Sequence, residues 1–161
     1  MFRVIFVCLG NICRSPMAHG VFLRLLKERG LTSSFDVDSF ATSDWEEGNP
    51  IYPPAKEQLK FHDIEFSHRS QLLTLAEVKN ADFVLVMDQM NLMSVIKLTA
   101  GRYGEKIFKL GSFAKPPFDI DDPYYTRDFA RAFNEIYTAC NAFLDFMQRE
   151  HGSALEYDKY I

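Results

Sequence analysis

The chain reads as an α/β protein built on a small four-stranded parallel sheet with helices on both faces, and three observations predict this. Short apolar runs alternate along the chain with segments of helical period, the order expected of strand-helix repeats. The runs at 3–8 (RVIFVC) and 82–87 (DFVLVM) are nearly continuous in β-branched, aromatic and leucine residues, as strands covered on both faces should be. Fifteen phenylalanines in 161 residues supply the material for a well-filled interior.

Taken in order, the first strand is 3–8. Ser15 then serves as N-cap and Pro16 as the first residue of a helix that runs to Arg29 and stops at Gly30. A second strand fits 35–40, followed by a polar loop at 42–52. Pro53-Pro54 open a short helix that continues through KEQLKF, and Thr74 caps another ahead of the third strand. A helix over 89–98 leads to a fourth strand near 106–110, then a Pro-rich loop to Tyr125. The last helix, 127–150, is the clearest: Phe129, Phe133, Ile136, Tyr137, Cys140, Phe143, Leu144 and Met147 recur at steps of three and four. Residues 1–150 are expected to form a single domain. Residues 151–161 (HGSALEYDKYI) are expected as a frayed polar tail, with Tyr157 and Tyr160 as alternative phosphorylation sites.

Composition narrows the function classes. A net charge of −4 argues against a nucleic-acid partner, which usually requires a basic footprint. No apolar run approaches the roughly 20 residues of a membrane helix, so no membrane insertion is expected. The opening residues MFRVIFVCLGN lack the cleavage region of a signal peptide and read as a strand, which makes the cytoplasm the expected compartment. Three cysteines, with no CxxC pair and no Cys/His cluster at zinc spacing, point to reduced thiols and to neither a metal nor a cofactor. Oligomeric state is left open.

In an open parallel sheet, ligands bind beyond the carboxyl ends of the strands. The loop after the first strand, Cys8-Leu9-Gly10-Asn11-Ile12-Cys13-Arg14-Ser15, is therefore the place to look for chemistry. A turn of this length between strand and helix can wrap its N–H groups around a tetrahedral oxyanion, with the helix dipole added. Arg14 adds a planar fork that matches two phosphate oxygens. Such a field favours the thiolate of Cys8, and an anion cradle with a thiolate at its base is a device for attacking phosphorus. A lone cysteine at a strand end is by default a small buried hydrophobe. A glycine-bearing strand-to-helix turn also suits nucleotide binders, but neither the Gly-Lys-Ser/Thr ending nor three spaced glycines are present.

The stretch VCLGNICRSPMAHGVF resembles the signature loop and first helix of the low-molecular-weight protein tyrosine phosphatases. The likeness continues in order through DSFATSDW (38–45), HDIEFSH (62–68), VMDQMN (86–91) and DDPYY (121–125), and covers nearly everything to about Glu150. It implies a flavodoxin-like, phosphotyrosine phosphatase I type fold and metal-independent hydrolysis of protein phosphotyrosine and aryl phosphates through a cysteinyl-phosphate. In that scheme Cys8 is the nucleophile, Arg14 the phosphate clamp and Asp122 the general acid and then base, with rate following a bell in pH. Asp122 is selected by the resemblance alone, since Asp-Pro is an ordinary turn starter and the chain has 22 acidic residues.

Leu9, Gly10, Asn11, Ile12, Cys13 and Ser15 complete the implied phosphate-binding loop, Ser15 also donating a hydrogen bond to the Cys8 sulfur. Asn11, Ser39 and His68 resemble the network that holds that loop. Asp88 resembles an aspartate that orients the arginine, although a residue just past a strand end is also a simple helix cap. Trp45, Tyr124 and Tyr125 resemble the aromatic walls of a pocket deep enough for phosphotyrosine, or a set of loop aromatics packed on each other. Glu46 on the same rim is expected to disfavour acidic phosphopeptides. Cys13 resembles the redox partner that forms a protective disulfide with the nucleophile, and a packing role is equally open. Gln71 stands where family members often carry arginine, which puts local loop contacts in question.

The implied partners are phosphotyrosine-containing proteins. A thioredoxin-linked arsenate reductase of the same fold needs relay cysteines around 78–91, where this chain has none. A non-catalytic phosphotyrosine-binding module would be expected to lack Cys8 or Asp122, and both are present.

Overall fold

In the computed structural model, which describes residues 1–159, β1 (Phe2–Cys8) lies inside the sheet between β2 (Phe35–Ala41) and β3 (Phe83–Val86). β4 (Ile107–Lys109) pairs on the far side of β3, so the order is β2-β1-β3-β4, and every pairing is parallel. The period of two along β1 sorts its side chains. Val4 and Phe6 face the side carrying α1 (Arg14–Arg29), α2 (Pro53–Phe61) and α6 (Phe129–His151). Ile5 and Val7 face α3 (Leu75–Asn80) and α4 (Gln89–Thr99). β1 is thus apolar on both faces because both faces are covered.

Phenylalanines fill the larger side. Phe22 of α1 meets Phe6, Phe35 and Phe143 with ring centroids at 5.4, 5.5 and 5.8 Å. Burial of a phenylalanine contributes roughly 2 kcal/mol, so this cluster anchors α1, and with it the loop that precedes α1.

Several expectations are corrected. α1 begins at Arg14 with Cys13 as N-cap, so Ser15 lies within the first turn and caps nothing. Pro16 fits there because the first N–H groups of a helix have no intrahelical partner to lose. α6 starts at Phe129 rather than 127: Arg127 takes a left-handed φ of 61°, and Asp128 caps the helix by accepting from the Arg131 amide at 3.0 Å. Tyr137 of the predicted apolar stripe is 40% exposed. The Pro-rich loop contains a one-turn helix, α5 (Pro123–Thr126), which carries Tyr124 and Tyr125.

The described part of the tail is not frayed. Leu155 is buried, the Ser34 hydroxyl donates to the Glu156 carbonyl at 2.7 Å, and the Asp158 amide donates to the Gly30 carbonyl at 2.7 Å. Tyr157 is exposed and accepts from Gln148 at 2.9 Å, while Tyr160 lies outside the described residues. The tail's polar residues satisfy the α1–β2 turn, a role invisible to composition. Among the described residues no helix is long and apolar enough to cross a membrane.

Candidate active site

The site forms where the carboxyl ends of β1 and β3 meet the amino end of α1. Loop 8–15 is held from outside by its carbonyls. Cys8 O accepts from the Thr42 amide at 2.9 Å, and Leu9 O accepts from the Ser43 amide and hydroxyl at 3.1 and 2.9 Å. Gly10 O accepts from the Ser70 hydroxyl at 2.8 Å, and Ile12 O from the Tyr52 amide at 2.9 Å. With these carbonyls turned outward, amides turn inward. The N–H groups of Asn11 and Ser15 reach Cys8 Sγ at 3.2 and 3.4 Å. The sulfur therefore sits where the loop's donors converge, and it takes up one of the unpartnered amides of the α1 amino end.

Asn11 makes the curvature possible. Its φ of 55° is left-handed, which asparagine tolerates better than most residues. Its amide is used at both ends: Nδ2 donates to Ser15 Oγ at 2.7 Å, and Oδ1 accepts from His68 Nε2 at 2.8 Å and from the Gln71 amide at 3.1 Å. Because Ser15 Oγ accepts from Asn11, its own proton is free to point at Cys8 Sγ, 3.0 Å away. Ser39 Oγ lies 3.3 Å from His68 Nε2 and 3.0 Å from His19 Nδ1, so Asn11, Ser39 and His68 do form one network. Burial, with His68 adding repulsion, lowers His19 to about 3, and burial also lowers His68 despite Asp38 nearby. Both rings are neutral at pH 7, which lets His19 Nδ1 accept from Ser39.

Gln71, where the resembled family often carries arginine, donates to Asp38 Oδ1 at 2.9 Å and to Ser39 O at 3.0 Å. Among the described residues, His19, Asp38 and His68 have donor atoms within 4.8 Å of one another, close enough to be weighed as a metal-binding group. Their hydrogen bonds to Ser39, Asn11 and Gln71 already use them as a brace.

Arg14 is 2% exposed, and its guanidinium is fixed on two sides. Nη1 donates to Asp88 Oδ2 at 2.6 Å and to the Ile120 carbonyl at 2.8 Å, and Nη2 lies 3.4 Å from Asp122 Oδ2. Burial works against the charge, but Cys8, Asp122 and Asp88 outweigh it and raise Arg14 above its ordinary value. Asp88 does two jobs, since its Oδ1 also caps α4 by accepting from the Asn91 amide at 2.8 Å. Asp122 caps α5 by accepting from the Tyr124 amide at 3.0 Å.

The cleft over the sulfur, about 230 Å³, brings Leu9, Ile12, Cys13, Trp45, Glu46, Tyr124 and Tyr125 together with Cys8, Arg14 and Asp122. Trp45 and Tyr125 are 73% and 72% exposed, so the rim stands in solvent while the base is buried. Cys13 is buried within the loop, and burial pushes its thiol well up. Every site residue expected from the sequence lies in this cleft or in its support. Ser43, Ser70, Tyr52 and the Ile120 carbonyl were missed: they are common residue types acting over long separations in the chain.

A family model described as low molecular weight phosphotyrosine protein phosphatase matches residues 3–153. The low molecular weight phosphotyrosine protein phosphatase of Homo sapiens is 37% identical over 147 residues, 88% of this chain and 93% of the human protein. The crystal structure of YfkJ from Bacillus subtilis superposes with a TM-score of 0.91 at 32% identity, covering 93% of this chain and 96% of its own. A drosophila arginine phosphatase superposes with a TM-score of 0.83 at 29% identity, covering 90% and 97%.

Proposed function

This chain belongs to the low molecular weight phosphotyrosine protein phosphatase family and is a phosphoric monoester hydrolase; from that premise we propose that it hydrolyses protein phosphotyrosine through a phosphoenzyme on Cys8. The observation that carries the reading is the convergence of loop amides and the Ser15 hydroxyl on Cys8 Sγ, with Arg14 and Asp122 on the open side of the sulfur. That arrangement prepares donors for charge that develops on phosphoryl oxygens, where preorganisation contributes most.

The Cys8 thiolate attacks phosphorus in line, forming the S–P bond as the P–O bond to tyrosine breaks. Loop amides and Arg14 hold the equatorial oxygens, while Asp122 gives its proton to the departing phenolate. Asp122, now a carboxylate, takes a proton from water as the water oxygen attacks phosphorus. The S–P bond breaks, and phosphate and thiolate are released. Cys8 must be ionised while Asp122 is protonated at the first step, hence a bell in pH.

The walls choose the leaving group. Leu9, Ile12, Trp45, Tyr124 and Tyr125 offer apolar and aromatic faces to a flat ring. These faces suit the ring of phosphotyrosine, while the Glu46 and Asp122 carboxylates in the same lining make phosphoarginine, whose guanidino group asks for acceptors, the competing substrate to test. We propose a cytoplasmic location and one domain over residues 1–150, on which the tail residues 155–158 pack. The test is turnover of an aryl phosphate, a phosphotyrosine peptide and a phosphoarginine peptide at mildly acidic pH with a metal chelator present. Activity lost in Cys8→Ser and strongly reduced in Asp122→Ala, with the tyrosine peptide preferred, supports the reading. A preference for phosphoarginine overturns the substrate, and full activity in the Cys8 variant overturns the mechanism.

A further inference from the structure

We propose that Tyr52 and Arg127 lock the turn carrying Asp122 to the phosphate loop, with Arg127 a positioning residue for proton delivery; this rests on the reading of Asp122 as general acid. Two segments must be held in register for that step, and their reacting residues, Cys8 and Asp122, are 114 residues apart in the chain. Upstream of Asp122 the register is set by Arg14, which binds the Ile120 carbonyl at 2.8 Å, and by the Ile120 amide, which donates to the Met87 carbonyl at 3.0 Å. Downstream, a hydrogen-bonded route back to the loop runs through a phenol.

Tyr52 is the N-cap of α2, and its carbonyl is held by the amides of Ala55 and Lys56 at 3.0 Å each. Its own amide grips the loop by donating to Ile12 O at 2.9 Å. Its side chain points to the acid turn. The ring packs 5.5 Å from Tyr124 and 5.9 Å from Phe129, and its hydroxyl accepts from Arg127 Nη1 at 3.3 Å. One residue thus touches the loop with its backbone and the acid turn with its side chain.

Arg127 closes the contact from the other side. Its guanidinium lies 5.3, 5.6 and 6.0 Å from the ring centroids of Phe129, Tyr52 and Tyr124, and Nη1 also donates to the Tyr124 carbonyl at 3.3 Å. Its amide ends α5 by donating to the Pro123 carbonyl at 2.8 Å. The residue occupies a left-handed conformation that glycine or asparagine adopts more readily, so its ring and phenol contacts compensate for a backbone preference it lacks. α5 is a single turn with Asp122 at its head: the amides of Tyr125 and Thr126 bind Asp122 O, and that of Tyr124 binds Asp122 Oδ1. A tilt of this turn therefore moves the acid and the Tyr124 wall together.

The experiment reads proton delivery apart from phosphate binding. kcat/KM is measured for 2,4-dinitrophenyl phosphate, whose leaving group needs no proton, and for phenyl phosphate, whose leaving group does. Arg127→Ala and Tyr52→Phe are expected to lose about tenfold more activity on phenyl than on dinitrophenyl phosphate, with Arg127→Lys recovering part of the difference. In an Asp122→Asn background, Arg127→Ala adds nothing to that difference. Equal losses on both substrates, or none, overturn the proposal. Tyr52→Phe keeps the ring and so guards against a variant that merely misfolds. If the wild type fails to turn over dinitrophenyl phosphate, the phosphatase reading falls first.

Discussion

The base of the cleft and its rim are built by opposite means. At the base, Asn11, Arg14 and Ser15 are all nearly inaccessible, each makes at least two hydrogen bonds or ion pairs, and the loop carbonyls are tied to Thr42, Ser43, Tyr52 and Ser70. At the rim, Trp45 and Tyr125 stand mostly in water, and the Glu46 carboxylate accepts from Asn49 Nδ2 at 2.7 Å. The base is over-determined and the rim is not. The difference teaches that the phosphate chemistry is bound up with the stability of the fold, whereas recognition of whatever carries the phosphate can change at little cost.

Substitutions can break this contrast or sharpen it. The largest effect is expected at Arg14: replacement by lysine removes the planar fork whose Nη1 binds Asp88 and the Ile120 carbonyl while Nη2 faces Asp122, and turnover of an aryl phosphate should fall about 10³-fold. Asn11→Ala leaves His68 Nε2 and the Gln71 amide without their acceptor and should lower unfolding stability in urea by about 3 kcal/mol. Asn11→Gly, which accepts the backbone angle but not the bonds, should regain only about 1 kcal/mol. A stable Asn11→Ala protein would break the argument that the loop's shape is held by these bonds.

The third effect depends on pH. His19 is lowered from 6.5 to about 3 by burial, so below pH 6.5 the unfolded chain binds a proton that the folded chain refuses. Stability contributed by the neutral ring is intact above that pH and is lost as pH falls, at about 1.4 kcal/mol per unit. Between pH 7 and 5 the wild type should lose about 2 kcal/mol more than His19→Gln, measured by urea unfolding at both pH values. His68, lowered in the same direction, adds to the slope of the wild type.

At the rim the effects shrink. Trp45→Ala should raise KM for a phosphotyrosine peptide by about fivefold with stability unmoved, since Trp45 is 73% exposed. Glu46→Gln should improve an acidic phosphopeptide relative to a basic one by about twofold at low salt and less at high salt. A rim substitution that destabilised the fold would erase the contrast altogether.

What was legible in the chain follows the same divide. Cys8 to Ser15 form one contiguous stretch between a strand and a helix, so pattern alone pointed to an anion cradle. Asp122 lies more than a hundred residues away in an ordinary Asp-Pro turn, and only likeness to a known family singled it out. The mechanical parts were harder still. Ser70 and the Ile120 carbonyl each act through one long-range hydrogen bond and Tyr52 through two, and nothing in residue type announces such bonds. Ser15 was misread as a cap because Ser-Pro is a common helix start. The helix begins at Arg14, ahead of Pro16, and the hydroxyl is free for the sulfur. The tail was misread because its polar residues suggested solvent, whereas their hydrogen bonds complete the turn after α1.

That tail has a practical side. It fastens to residues 30–34, at the entry of β2, while the exit of β2 at Ala41 adjoins the loop that holds Cys8. A seven-residue strand at about 3.3 Å per residue puts some 20 Å between the two ends. Lys159, exposed at the end of the fastened stretch, is therefore a handle on the far pole of the molecule. A dye or a bead coupled there leaves the mouth of the cleft facing outward, so the enzyme can be tethered and watched while it works.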